Sequence, residues 1–367
     1  MTILGMGPGS RPIVSVVVAT RNRETYLTDL LKSLARQSFR SFEVIIVDDS
    51  DRRESRRAVA LVVRRFLKDL KIKLLRNPSR LGIPSSLNRG LIAARGHIVA
   101  FTDDDCIVDK SWLENIVRWY RYPRVGGVGG RVVPVEHDAM WTPKRRRHPG
   151  VVGRVLRSGE VVSNFDLNVG PVLVDCLPGA NMSFRRDLLL RAGGFSRAYE
   201  GNAYRFETDL SLRVKRLGYR IVFDPKAVVY HRRAPRGGAR VGAYEWNYWF
   251  GRNHTVFLLT CFNSGVLRAA FFVLREIVRV LRRRRACPYA RPDAWHKVLL
   301  AMLKGVLDGV SVGLRYAASR RRSLAGRRGG SVRCTPYYKA KPFGEPLLTD
   351  VGACLAREKR ALKEGVS

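Results

Sequence analysis

Residues 98–108 read IVAFTDDDCIV: four apolar residues, a threonine, three consecutive aspartates and a second apolar run. The four apolar residues, β-branched or bulky apart from one alanine, suit a short strand buried on both faces. Three carboxylates cannot follow such a strand into the core unpaired, because burying a charge without a partner is costly. They therefore mark the strand's end. In an open α/β sheet the carboxyl ends of the strands are where ligands bind.

The same pattern recurs upstream. IVSVVVAT (13–20) is a β-branched run, and Leu27, Leu30, Leu31 and Leu34 follow at helical spacing. FEVIIVDDS (42–50) is a strand, Val59 to Leu70 a helix, IKLLRN (72–77) a strand, and Ser85 to Ala94 a helix that leads into HIVAFTDDD (97–105). Strand and helix alternate in this way when a mainly parallel sheet carries helices on its faces. Each strand also ends in polar residues: Thr20 and Asn22, then Asp48, Asp49 and Ser50, then Asn77, then Asp103, Asp104 and Asp105. One acidic strand end is an ordinary solvated turn. Four in succession predict a nucleotide-type site.

A second block covers about 125 to 230. VGGVGGRVVPV reads as a glycine-relieved strand, and 137–165 as a basic surface insertion. A strand, a Gly-Ala-Asn turn (179–181) and a short helix follow, and RIVFDPKAVVYHRR reads as two short strands around Asp224-Pro225. The helix beginning near Phe206 ends at Gly218, a C-cap residue type. Glu207, Leu210, Val214 and Leu217 share one face of it, so Glu207 points inward at the first turn. Asp209 is expected on another face, paired with Arg213 as a surface ion pair.

Charge constrains the partners. The chain carries +37 overall; residues 1–230 hold 40 Lys and Arg against 23 Asp and Glu, and residues 231–367 hold 28 against 8. Such a field attracts polyanions: nucleic acid, anionic lipid or phosphorylated substrates. No C-x-x-C pair occurs among the six cysteines, which argues against a zinc ribbon. No signal peptide is evident in the first residues, which predicts a cytoplasmic, reduced protein. From 236 to 325 aromatic and arginine-rich amphipathic segments follow one another without a clean uncharged span of membrane length. Helices lying in the membrane interface are the expectation, with packing as a helical cap the alternative. Residues 1–12 and 326–367 read as tails.

Adjacent carboxylates at a strand tip suit Mg²⁺ or Mn²⁺ carrying a diphosphate. An inward glutamate about a hundred residues later can take the proton of an incoming hydroxyl. No Walker loop and no G-x-G-x-x-G follows the first strand, which disfavours ATPase and dehydrogenase chemistry.

The segments VSVVVATRNR, VIIVDDS, NPSRLGIPSSLNRGLIAARGHIVAFTDDDC, PGANMSFRR with AGGF, and FETDLSLRVKRLGY together resemble the family 2 glycosyltransferases of GT-A fold. The resemblance covers about 13–235, with a nucleotide half (13–108) and an acceptor half (109–235). It implies an inverting, metal-dependent transfer from a nucleotide-diphosphate sugar, UDP foremost, to a lipid-linked or glycan hydroxyl. Thr20, Asn22, Arg23, Asp48, Asp49, Asn77 and Arg80 then line the nucleotide. Asp105 is the metal-binding acid, and Asp103 or Asp104 faces the ribose and sugar. If the tip stays extended, Asp103 and Asp105 form the D-x-D; if it turns, Asp104 takes the ribose. Gly179, Ala180, Asn181 and Asp209 fall on the acceptor side, Glu207 stands where the base does, and His231 is either near the metal or a surface histidine. Phe206 stands where the family's E-D-x-D-L string has its first acid, so that acid is lost.

The processive enzymes' Q-x-x-R-W motif cannot exist, since Gln37 is the sole glutamine, so a single sugar is implied. Peripheral attachment to an anionic, cytoplasmic membrane face would suit the basic C-terminal third. The competing classes are a basic nucleic-acid-binding protein, for which no recognised nucleic-acid motif is visible, and an inactive donor-binding scaffold.

Overall fold

The computed structural model of the chain describes residues 11–135, 148–283 and 295–325. Its first half follows the expected alternation: β1 (Val14–Thr20), α1 (Glu24–Ala35), β2 (Phe42–Asp48), α2 (Arg53–Arg65), β3 (Ile72–Arg76), α3 (Ile83–Ala93) and β4 (Ile98–Phe101). Then come β5 (Cys106–Val108), α4 (Trp112–Val117), β6 (Val125–Pro134), the short β7 (Arg154–Val155) and β8 (Val161–Val162), β9 (Val172–Val174), β10 (Met182–Arg185), α5 (Arg186–Arg191), α6 (Phe206–Arg216) and β11 (Arg220–His231). Three long helices close the chain: α7 (Ala243–Cys261), α8 (Gly265–Arg283) and α9 (Trp295–Ala325).

Nine strands form one sheet, in the order β3-β2-β1-β4-β10-β6-β11-β5, with β9 also on β11. The β1–β4 strands run parallel to one another and β6 runs parallel to β11, while β10, β5 and β9 pair antiparallel. Side chains alternate across the sheet. Val17, Ile45, Val47, Val99 and Phe101 join one core, and Val14, Val16, Val18, Val44, Ile46, Ile98 and Ala100 join the other. Full burial of each such side chain contributes about 1.5–3 kcal/mol relative to exposure. Strands buried on both sides must be continuously apolar, which is why these were readable in the sequence.

Glycines act where backbones nearly touch. A Cβ on Gly130 would meet the Ala227 carbonyl oxygen at 2.0 Å, so β6 can lie against β11 there only as glycine. Gly218, at φ +89°, ends α6 as a left-handed C-cap, its N–H donating to the Lys215 carbonyl at 3.0 Å.

Three expectations change. The two strands around Asp224-Pro225 are one strand, β11, with a register shift between Asp224 and Val229 that lets it bend while staying paired to β6. Residues 137–147 of the expected basic insertion lie outside the described residues. The rest of it is packed: Val152, Val155 and Val162 are buried, and Gly153 accepts hydrogen bonds from the Asp175 and Cys176 amides. The α7 helix, part of the segment expected to be interfacial or a cap, is largely buried in the protein. Asn247, most residues from Gly251 to Leu259, and Cys261 are buried, with its polar side chains reaching into the loop before α6. The two expected tails, 1–12 and 326–367, fall almost wholly outside the described residues.

Candidate active site

The chain turns at the tip of β4, and the three aspartates separate. Asp104 is buried; one of its oxygens accepts from Thr20 Oγ1 at 2.8 Å and the other from Arg23 Nη1 at 3.0 Å. Asp105 shares Arg23 Nη1 with Asp104, at 3.0 Å, and together with Asp103 also lies against His231 of β11. The reason is register: β5 pairs antiparallel with β11 so that His231 lies opposite Cys106. This places His231 Nε2 at 3.1 Å from Asp105 Oδ1 and 4.0 Å from Asp103 Oδ2. One ligand atom each from Asp103, Asp105, Cys106 and His231 lie within 4.8 Å of one another.

Electrostatics divides this cluster. Burial pushes the Asp105 carboxyl up, but His231, the Arg23 guanidinium and the Ala234 N–H (2.9 Å) together hold it well below the usual carboxylate range. Asp104 goes the other way, to about 7, because burial and the charge of Asp105 outweigh Arg23 and Thr20. Burial raises the Cys106 thiol well above its ordinary value, so it stays protonated and is a poor ligand. Two carboxylates and an imidazole remain. That donor set suits a hard divalent cation such as Mg²⁺ or Mn²⁺, with Asp103, half-exposed, open to the cleft.

Arg23 has a second duty. Besides bridging Asp104 and Asp105, it donates from Nε to the Arg236 carbonyl at 2.8 Å and from Nη2 to that of Gly237 at 3.1 Å. Arg21 donates to the Gly238 carbonyl at 3.0 Å. The segment after β11 is thereby clasped onto the β1–α1 loop, where the sequence reading assigned it no role. Its signal was the Arg-Gly-Gly at 236–238: a Cβ on Gly238 would lie 2.7 Å from Arg23 Cζ.

The other nucleotide-side residues gather at the ends of β1, β2 and β3. Asp49 accepts from Asn77 Nδ2 (2.7 Å) and from the N–H groups of Leu81 (2.8 Å) and Gly82 (3.0 Å), which fixes the 77–82 loop. Asp48 accepts from the Ser50 N–H at 3.0 Å through one oxygen, while its other, buried oxygen has no hydrogen-bond partner among the described residues. Asn22, at φ +54°, donates to Asp51 at 2.7 Å. Arg80 is exposed on the rim of the same loop.

Glu207, expected on the acceptor side and pointing inward, stands half-buried in the first turn of α6, while Thr208, Asp209 and Leu210 beside it are buried. The Glu207 carboxyl is pushed up to about 7, chiefly by burial and against the pull of Arg205, with the charge of Asp103 adding to the rise. Asp209 departs from the expected surface pair: it is 1% exposed, accepting from Arg213 Nε at 2.9 Å and Cys261 Sγ at 3.2 Å. Packing of α7 on α6 buries it, and helical spacing alone could not show that. Asn181 is fully buried too, accepting from Trp112 Nε1 at 2.9 Å and donating to the Arg131 (3.0 Å) and Ala227 (2.8 Å) carbonyls. It holds β6, β10 and β11 together beneath Gly179 and Ala180. A groove of about 500 Å³ between α3, the α5 end and Tyr316 holds none of these acids.

Residues 15–191 match the family described as Glycosyl transferase family 2. The glucosyl-dolichyl phosphate glucuronosyltransferase of Haloferax volcanii is 29% identical over 231 residues, 60% of this chain and 69% of that protein. Coverage of relatives varies, for the chain spans only 25% of the uncharacterized y4gI of Sinorhizobium fredii. Among solved structures, S. aureus TarS 1–349 in complex with UDP-GlcNAc superimposes with a TM-score of 0.53 at 17% identity, over 84% of this chain and 92% of that one. GalNAc-T7 with UDP, GalNAc and Mn²⁺ gives 0.55 at 14% identity, over 86% of this chain and 58% of that one. At such identities the likeness is one of fold, the GT-A arrangement of a mostly parallel sheet flanked by helices.

Proposed function

The chain belongs to glycosyltransferase family 2 through residues 15–191, and on that premise we propose that it transfers one sugar, with inversion, from a nucleotide-diphosphate sugar to an acceptor hydroxyl at a membrane surface. The observation that supports this reading is the Asp103–Asp105–His231 cluster at the tip of β4, with Glu207 in the first turn of α6 as the candidate base.

Asp103, Asp105 and His231 would hold the divalent cation, which when bound neutralises charge on the departing diphosphate. Everything else falls to the chain's own residues. The β1–β3 ends, with Asp48, Asp49, Asn77 and Asn22, receive the nucleoside. Asp104, buried on Thr20 and Arg23, keeps the tip turned so that Asp103 and Asp105 stay together. Glu207 accepts the proton of the acceptor hydroxyl as its oxygen bonds the anomeric carbon and the carbon–diphosphate bond breaks. One displacement from the face opposite the leaving group inverts the anomeric configuration. A carboxyl raised to about 7 is basic enough for this role and still ionised in useful amount near neutrality. UDP is the nucleotide favoured here.

The membrane part of the reading is supported by α8. Leu267, Phe271 and Leu274 follow at i, i+4 and i+7 and are 74%, 54% and 61% exposed, while Ala269, Phe272 and Glu276 on the opposite side are buried. No helix among the described residues is long and apolar enough to cross a membrane. An outward apolar stripe on an arginine-bearing helix in a chain of +37 suits shallow insertion into an anionic leaflet, here taken as the cytoplasmic one. An acceptor with a lipid anchor would be met there.

The test is a panel of UDP-, GDP- and dTDP-sugars with and without Mn²⁺, read as thermal stabilisation and sugar release. A donor that stabilises only with metal supports the reading; a folded sample that no nucleotide sugar stabilises defeats it.

A further inference from the structure

Three arginines are buried among the described residues: Arg23, Arg205 and Arg252. Arg23 is answered by Asp104 and Asp105, and Arg252 by Glu200 and Asp308. Arg205, 8% exposed, has no carboxylate at ion-pair distance among those residues. Its guanidinium lies over the Tyr204 ring, 4.2 Å from the centroid, and donates from Nε to His254 Nδ1 at a long 3.5 Å. Burial and the charges of Arg205 and Arg275 keep His254 well below its ordinary value, so it stays neutral and adds no second cation beside Arg205. A buried cation without an ion-paired anion is costly, and Glu207, whose carboxyl Arg205 pulls down, forms no ion pair with it among the described residues.

The backbone holds that cation in place at further cost. Arg205 sits at φ +77° and Ala203 at φ +52°, both left-handed without being glycine. The strained turn is clamped from α7: Arg252 Nη1 donates to the Ala198 carbonyl and Asn253 Nδ2 to that of Glu200, both at 2.8 Å. Two residues later comes Glu207. A wall of stacked aromatics borders the site, with Trp246 on Phe250 (5.3 Å) and Phe250 on His254 (6.0 Å). An apolar border strengthens any charge interaction formed beside it.

We propose that Arg205 is an anion subsite of the acceptor, binding a phosphoryl group carried by the molecule whose hydroxyl Glu207 deprotonates. The proposal rests on the acceptor lying at Glu207, as above, and names what else that acceptor must carry. A guanidinium offers paired N–H donors that match phosphoryl oxygens. The bound oxyanion supplies the missing countercharge. An alternative duty, setting the basicity of Glu207 alone, would need no acceptor charge.

The experiment uses the full chain in EDTA, so that the Asp103–Asp105–His231 cluster contributes no metal–phosphate contact. Farnesyl phosphate, farnesol and inorganic phosphate are titrated calorimetrically against wild type, Arg205→Gln, Arg205→Lys and Asp105→Asn, each checked for native circular dichroism. Farnesyl phosphate is expected to bind wild type and Asp105→Asn alike. Arg205→Gln should weaken it about ten- to a hundredfold, with partial recovery in Arg205→Lys, while farnesol binding stays unchanged. Displacement by inorganic phosphate assigns the site to any phosphoryl oxyanion; its failure to displace assigns it to the lipid phosphate. Equal affinity of wild type and Arg205→Gln for farnesyl phosphate, or no preference of wild type for it over farnesol, overturns the proposal. Donor turnover is not read, so a failure here is distinct from a failure of the transferase reading.

Discussion

His231 Nε2 stands 3.1 Å from Asp105 Oδ1, although 126 residues separate the two in sequence. The pairing of β5 with β11 makes the contact, and under the proposed function it gives the acidic tip a third candidate ligand. Asp105→Ala should therefore lower kcat/KM about 10³-fold, since a bound cation is worth several kcal/mol to a developing charge. His231→Ala, which leaves both carboxylates, should cost less and should raise the Mn²⁺ concentration needed for half-maximal activity. Metal titrations of activity for the two variants check this, and equal loss in both would place His231 outside the cation site.

Glu207 predicts the pH profile. As a base it must be ionised, so kcat/KM should rise with pH toward a plateau above about 7. Stability should run the other way. The folded carboxyl is raised above its ordinary 4.5, so the folded state binds the proton more tightly and loses stability as pH climbs from about 4.5 past 7. Glu207→Gln should consequently melt higher than wild type at pH 8, with the gain vanishing toward pH 5.

Arg23 and Asn181 are expected to be structural at least as much as functional. Arg23→Ala leaves Asp104 and Asp105 buried side by side and should cost about 3–5 kcal/mol in urea denaturation. Asn181→Ala strands the Trp112 indole N–H and two carbonyls, at about 1–3 kcal/mol for each buried group left unsatisfied. If Asn181→Ala instead kept its stability and lost acceptor affinity alone, its side chain would belong to the binding surface.

The α8 stripe predicts membrane binding. Leu267→Asp with Phe271→Asp should abolish co-flotation with vesicles containing phosphatidylglycerol and leave the melting temperature nearly unchanged, because both side chains are exposed. Flotation that survives the double substitution would move the contact elsewhere.

The sequence disclosed what periodicity carries. β1, β2 and β4 are buried on both faces, so their runs of Val, Ile and Ala had to be strands, and their polar ends had to be a rim. Leu210 and Val214 were legible as a buried helical face, whereas Glu207 on the same face is only half-buried. Asp209 was not legible, since nothing local shows that α7 packs across it and brings Cys261 to its carboxylate. Nor could spacing reveal that Arg205 is buried without an acid. Such facts arise from tertiary contact alone.

The central claim is tested most directly by following donor turnover in wild type and Glu207→Gln while product configuration is read by proton NMR. With Mn²⁺ and the donor that stabilises the protein, wild type should release sugar whose first-formed anomer is inverted relative to the donor. Glu207→Gln should bind that donor equally and turn it over about 10²–10⁴-fold more slowly. Retained configuration, or near-normal turnover by Glu207→Gln, would contradict the account.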